Sequence, residues 1–304
     1  MNTKMPGISA SVIVLCTLLF TTCGMKTKDG DRQASDKAVG MQFAAPPLPD
    51  TLSFLGEKVP LDRFDVFESL EREMLVNTYF HSQTIRFIKL APRYFSLVDP
   101  ILKSEGIPSD FRYLMVAESN LSPRAYSPAG AAGMWQFLKT TALEYGLEVN
   151  GEVDERYHVG KSTLAACRYL KKAWEKYRNW GLVAAGYNAG FAAVDKQLQR
   201  QKVDNYFDLL MSEETERYLF RIISLKLILE NPEKFGFQIS EEEKYPLLKT
   251  HPVEINGPVP DWTNFAHNNG ITYKTLKYYN PWLRESFLTN KAGKRYVVDI
   301  PDKE

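Results

Sequence analysis

From about residue 60 to residue 238, apolar side chains recur at helical spacing, and this run restricts the chain to a mainly α architecture. RFDVFESLEREMLVNTYF and SQTIRFIKLAPRYFSLVDPILKSEG both carry the pattern, with a break predicted at Pro92 and an end at Gly106. KSTLAACRYLKKAWEKYRN opens on Ser162 as a cap and repeats apolar residues at Cys167, Leu170, Trp174 and Tyr177. EETERYLFRIISLKLILENP starts acidic, buries Leu219, Ile222 and Ile223, and stops before Pro232. With 304 residues, 44% of them hydrophobic, the chain is long enough for one sizeable core and a second, smaller one.

One position in this helical run breaks the rule that carboxylates face water. Pro108, Ser109 and Asp110 signal a helix start, with Ser109 or Asp110 as cap. Phe111, Leu114, Met115 and Glu118 then fall at i, i+3, i+4 and i+7, which turns Glu118 inward with three large apolar side chains. Asn120 and Ser122-Pro123 end the helix, so Glu118 sits in its last turn. Desolvation and the negative helix end both disfavour the anion there, giving an acid that keeps its proton closer to neutral pH. The alternative is a structural Glu paired with Arg112 or Arg124.

Three unusual segments follow. GAAGMWQF holds Gly130 and Gly133 but lacks the strand context of a phosphate loop. AAGYNAG, residues 184 to 190, ends a helix with Tyr187 and Asn188 just before Gly190. Ser212-Glu213-Glu214-Thr215 is an acidic helix start. Each alone is a weak signal. Glu118-Ser119, GAAGMWQ, GYNAG and Glu214-Thr215, in that order and spacing, resemble the motif set of family-1 lytic transglycosylases. GIPSDFRYLMVAESNLSPRAYSPAGAAGMWQF, VDERY and KSTLAACRYLKKAWEKY resemble the membrane-bound, D-type branch of that family.

The resemblance implies a lysozyme-like all-helical catalytic domain over residues 59–238 that cleaves the MurNAc-β-1,4-GlcNAc bond of peptidoglycan. It implies Glu118 as the single catalytic acid and base, Ser127 and Gln136 as sugar contacts, Tyr187 and Asn188 as a site-lining pair, and Glu214 as an acid beneath the cleft. Leu138 stands where Met is common and Gly186 where Ala is usual. Most glycosidases use two carboxylates. With one, Glu118 would protonate the glycosidic oxygen, the substrate's N-acetyl oxygen would stabilise the cationic carbon, and the sugar's C6 hydroxyl would close a 1,6-anhydro ring. Asp154 and Glu155 are the nearby acidic candidates for a second carboxylate, and VDERY is assigned instead to a salt-bridged turn. A muramidase on the same bond and a non-catalytic peptidoglycan-binding lipoprotein are the alternatives.

The ends of the chain bear on location and substrate. Lys4 precedes SVIVLCTLLF, too short to span a bilayer but suited to a signal h-region. TTCG resembles a lipoprotein cleavage site that would lipidate Cys23, with residues 1–22 as signal peptide and 23–58 as a flexible tether. The expected place is the periplasm, on the outer membrane, as a monomer whose partners are glycan strands and the anchoring membrane. Cys167 is expected to be a buried, inert thiol. Residues 239–250 form a linker, and 251–304 a small α+β unit. DWTNFAHNNGITYKTLKYYNPW, between VEI and YVVDI, resembles a βααβ LysM module, with Phe265, Ile271, Leu276 and Asn280-Pro281 in fitting positions. NGPVPDW and a lengthened ESFLTNKAGKRY depart from it. With 38 basic and 37 acidic residues nothing favours nucleic acid. His81, His158, His251 and His267 lack metal-ligand spacing, so neither metal nor cofactor is expected.

Overall fold

The computed structural model describes residues 44–302; Cys23 and the signal segment lie outside them. The described residues fold into eight helices around one core, followed by a smaller unit of two strands and two helices with a core of its own.

The larger core is organised around two helices. In α6 (Trp180–Ala189), Trp180 to Gly186 are all buried, as a WGLVAAG sequence with no charged residue requires. In α8 (Glu213–Glu230), Thr215, Tyr218, Leu219, Phe220, Ile222, Ile223 and Ile228 are among the buried residues. Helix α8 packs against α1 (Phe64–Tyr79), α3 (Phe111–Ser119) and α6, while α2 (His81–Ser104) packs on α5 (Val159–Tyr177). The short α4 (Lys139–Glu144) and α7 (Phe191–Gln201) complete the shell.

Several local expectations are corrected. Helix α2 is not broken at Pro92 but runs through Pro92 and Pro100 for 24 residues. An internal proline costs about 3 kcal/mol. Burial of Phe87, Ile88, Leu90, Val98 and Leu102 at roughly 1.5–3 kcal/mol for each large side chain outweighs that cost. Helix α5 starts at Val159, with His158 rather than Ser162 as cap: His158 Nδ1 accepts from the Lys161 N–H, and Ser162 Oγ donates back to the His158 carbonyl. Asp110 precedes α3 without capping it, because its carboxylate accepts from the Leu55 N–H and from Lys226.

Leu55 belongs to a hairpin inside the stretch expected to be tether. Strands β1 (Leu52–Phe54) and β2 (Glu57–Val59) pair antiparallel, with Leu52 opposite Val59, around Leu55 and Gly56, both at positive φ. Phe54, Leu55 and Val59 are buried in the main core, and Glu57 accepts from the Trp180 N–H. A two-residue turn with two positive φ values normally announces itself as Asn-Gly or Asp-Gly, and Leu-Gly does not.

In the C-terminal unit β3 (Thr250–Ile255) pairs antiparallel with β4 (Tyr296–Pro301), with Val253 opposite Val298. Between them lie α9 (Trp262–Asn268) and α10 (Tyr273–Tyr279), so the unit is βααβ. Asn280 is fully buried: its Nδ2 donates to the Leu276 and Asp299 carbonyls and its Oδ1 accepts from the Asp299 N–H, tying α10 to β4. The lengthened segment before β4 packs rather than dangles, since Leu288 is buried and bridges Val259.

Candidate functional site

Helix α3 delivers Glu118 as the spacing predicts: Phe111, Leu114 and Met115 are buried, and the helix ends one residue beyond the carboxylate. The exit is abrupt. Asn120 and Leu121 both take left-handed backbone conformations, and for a leucine that strain is of order 1–3 kcal/mol. Burial of Leu121 in the core holds the bend in place.

Glu118 pairs with neither Arg112, which binds Asp99, nor Arg124, which donates to the Lys277 carbonyl. Its partner is Tyr218 of α8, whose buried hydroxyl donates to Glu118 Oε1. Desolvation lifts the Glu118 carboxyl from its ordinary 4.5 to about 7, with the Glu214 charge adding to the rise and the Tyr218 bond and Arg221 opposing it. Near neutral pH the group is therefore poised between acid and base.

The α8 face beneath Glu118 carries a charge ladder. Arg221 Nη1 lies 3.0 Å from Glu214 Oε1, and its Nε lies 3.6 Å from Glu73 Oε2. Glu214 is exposed; the buried acid is Glu73 of α1, whose Oε1 also takes a 2.6 Å bond from Arg217 Nε. Glu73, Tyr218 and Arg221 escaped the sequence reading. For the two on α8 the signal was present, because Glu214, Tyr218 and Arg221 fall at i, i+4 and i+7 on one helical face.

The Gly-rich loop is built from backbone bonds. Ala132 N–H donates to the Phe137 carbonyl, Gly133 N–H to the Ala125 carbonyl and Ser127 N–H to the Ala131 carbonyl, while the Ala131 N–H donates to Ser127 Oγ at 3.0 Å. Gln136 has φ +47° and donates from Nε2 to the Gly133 carbonyl at 2.8 Å. Gly133 is the fixed point: φ is +78°, and a Cβ there would lie 1.8 Å from the Arg156 carbonyl oxygen. Arg156 in turn donates to the Gly130 and Phe137 carbonyls and pairs with buried Asp154 at 2.7 Å. Asp154 and Glu155, the latter bound to Lys161, thus form the salt-bridged turn expected of VDERY.

Two further contacts join this loop to the helices. Trp135 is fully buried with Nε1 on Thr163, and its carbonyl accepts from the Tyr187 hydroxyl at 2.6 Å. Tyr187 feels the Glu118 charge, and burial drives its phenol well above the usual range. Asn188 Oδ1 accepts from Thr215 Oγ1 at 2.9 Å, which fixes the end of α6 to the start of α8. Glu118, Tyr187 and Tyr218 therefore form one cluster; the Gln136 amide is turned onto the Gly133 carbonyl of its own loop, Ser127 belongs to the same loop and Glu214 to the exposed rim. Tyr126, on the same loop, is exposed. Cys167 is buried, which pushes its thiol up to about 12. Among the described residues no group of three or more His, Cys, Asp or Glu side chains could hold a metal ion, and no helix is long and apolar enough to cross a membrane.

Residues 100–209 match the family described as transglycosylase SLT domain, and residues 251–304 match the soluble lytic transglycosylase C-terminal LysM-like domain. Membrane-bound lytic murein transglycosylase D from two strains of Escherichia coli is 27% identical over 320 residues, which cover 97% of this chain and 69% of that protein. Among solved structures, an inactive mutant of lytic transglycosylase Slt from Pseudomonas aeruginosa aligns with a TM-score of 0.41 and 18% identity over 59% of this chain. The 70 kDa soluble lytic transglycosylase Slt70 from Escherichia coli aligns with a TM-score of 0.42 and 16% identity over 59% of this chain. The alignments span 33% of the length of each of those two solved chains.

Proposed function

We propose that this chain, which carries a transglycosylase SLT domain and a LysM-like C-terminal domain, is a peptidoglycan lytic transglycosylase that cleaves the MurNAc-β-1,4-GlcNAc bond with Glu118 as its acid and base. One observation carries the reading: a single carboxyl is lifted to about 7 by burial and held by Tyr218, and it lies near Tyr187, whose hydroxyl holds the Trp135 carbonyl of the Gly-rich loop. The other acids of the neighbourhood are committed to cations, Asp154 to Arg156, Glu155 to Lys161, and Glu73 and Glu214 to Arg221. Inversion or a covalent intermediate would need a second free carboxylate at a set separation. A substrate that supplies its own nucleophile does not.

In this reading Glu118, protonated at rest, gives its proton to the glycosidic oxygen while the N-acetyl oxygen of the same sugar stabilises the cationic carbon. The carboxylate left behind, favoured at that stage by the Tyr218 hydroxyl and the Arg221 charge, takes the proton of the C6 hydroxyl as that oxygen closes the 1,6-anhydro ring. No water enters, and the attack is intramolecular. Ser127, Gln136, Tyr187 and Asn188 hold the strand, Glu214 sets the charge of the rim, and Tyr126 offers a ring for a sugar to stack on. Residues 59–238 are the catalytic part and 251–304 an accessory module, and lipid on Cys23 anchors a monomer at the outer membrane, facing the wall.

Mass spectrometry of peptidoglycan digested by the chain lacking residues 1–23, beside its Glu118→Gln variant, tests this. Anhydro-ended muropeptides, one water lighter than hydrolysis products and absent with the variant, are expected. Reducing ends would mean a muramidase instead, and no products at all a binding protein.

A further inference from the structure

A second cavity, of about 720 Å³, lies where α2, the Leu121–Arg124 segment, residues 245–250 and the C-terminal module meet. That volume is ordinary for a small-molecule or short-peptide site. Resting on the transglycosylase reading, we propose that it is a binding site for a short peptide with free carboxylates, namely the stem peptide of the strand under attack.

Charge carries the argument. Arg86, Arg93 and Arg124 line the cavity, and each spends one bond on a backbone carbonyl: Arg86 on Asn120 at 3.2 Å, Arg93 on Pro246 at 3.0 Å, Arg124 on Lys277 at 2.8 Å. Among the described residues none of the three forms an ion pair, and a guanidinium has five N–H groups to place. The lining offers one carboxyl against them, Asp299, whose pKa burial raises above the usual carboxylate value. His158, also in the lining, adds no charge near neutral pH, because burial lowers it to about 4; with Nδ1 accepting from Lys161, its other nitrogen is a neutral donor. Lining of this kind leaves a cationic hollow in need of anionic oxygens, and the planar fork of arginine suits carboxylates.

Shape and position narrow the ligand further. Leu97, Ile101 and Leu247 give small apolar surfaces that suit alkyl side chains, while Tyr245 and Tyr278 lie under Arg93 and Arg124 at 5.4 and 5.7 Å and hold those cations at the rim. A glycan is neutral and would waste the arginines. A stem peptide carries free carboxylates on its glutamyl residue, on its diaminopimelate side chain and at its end, with methyl side chains on its alanines. Leu121 to Arg124 is the stretch that joins Glu118 to Ser127, so one wall of the cavity is continuous in sequence with the helix that carries Glu118.

The test is calorimetric titration of the Glu118→Gln chain with the N-acetylated stem tetrapeptide, L-Ala-γ-D-Glu-diaminopimelate-D-Ala, and with the same peptide amidated at its carboxylates. Binding of the acid form, weakened tenfold or more by amidation and by combined Arg86→Gln, Arg93→Gln and Arg124→Gln changes, is expected. Gln keeps a donor for each carbonyl, and the amidated peptide probes the charge on an unaltered cavity should the triple variant misfold. No binding at millimolar peptide, or equal binding of the amide, overturns the site. Digestion of whole and peptide-stripped strands separates the two readings: anhydro ends at equal rates, with no peptide binding, sink the cavity alone, and peptide binding without anhydro ends sinks the transglycosylase alone.

Discussion

At Glu118 the burial that raises the pKa and the phenol that lowers it can be separated experimentally. Tyr218→Phe removes the donor and keeps the packing, so the carboxyl should rise further above 7. A hydrogen bond to a charged group contributes roughly 1.5–3 kcal/mol, and partial exposure of Glu118 reduces this, so we expect the alkaline limb of the pH–rate profile to move up by about one unit. An unmoved limb would mean that the bond does not control the acid. Stability should respond as well. Because folding raises this pKa, the folded chain keeps a proton that the unfolded chain releases between pH 4.5 and about 7, and stability falls as pH rises through that window. Glu118→Gln cannot ionise, so in urea unfolding it should match the parent near pH 4 and exceed it by about 1–2 kcal/mol at pH 8, discounted for partial exposure. A variant weaker than the parent at pH 8 would contradict this.

Within single elements, what was legible in the sequence was whatever depends on near neighbours. The inward face of α3, the helix end at Asn120, the turn at Gly190 and the Asp154–Arg156 pair all involve residues within a few positions of one another. Contacts that close over long separations were not legible: Tyr218 reaches Glu118 across 100 positions and Arg156 reaches Gly130 across 26. The hairpin at Leu52–Val59 was lost for a related reason, since its turn lacks the usual residues and its stability comes from Asp110 and Trp180 far along the chain. The loop over Arg156 offers a sharp contrast between two glycines. Gly130→Ala meets only the Tyr126 hydroxyl at 3.7 Å and pays for its positive φ, about 1 kcal/mol. Gly133→Ala adds a methyl 1.8 Å from a backbone oxygen that cannot swing aside, and should cost about 3 kcal/mol or more with most of the activity. Thermal melts of the two variants should differ by several degrees. Equal melts would show that the loop yields, and that Arg156 does not hold it where the structure has it.

Across the whole molecule the C-terminal unit acts as a structural wall of the larger helical one. Its core includes Ala132, Val153 and Tyr157, which belong by sequence to the larger unit. The Asp154 N–H donates to the Trp282 carbonyl at 2.9 Å, Val153 bridges Leu283, and the Arg284 guanidinium lies 4.4 Å from the centre of the Tyr157 ring. A line of contacts thus runs from the module through Trp282, Asp154 and Arg156 to the Gly130 and Phe137 carbonyls of the loop. Deleting residues 251–304 should therefore reach the larger unit as well. It would bare Val153 and Tyr157, at roughly 1.5–3 kcal/mol for each side chain, and leave the Asp154 amide without its partner. We expect a loss of about 3–5 kcal/mol and faster hydrogen exchange at the Ala132 and Gly133 amides, which are bonded to Phe137 and Ala125. The kcat on glycan fragments too short to touch the module should fall as well. An appendage that only tethers substrate would raise KM on long strands and leave loop exchange and short-fragment kcat unchanged, and that outcome would reduce the module to a binding accessory.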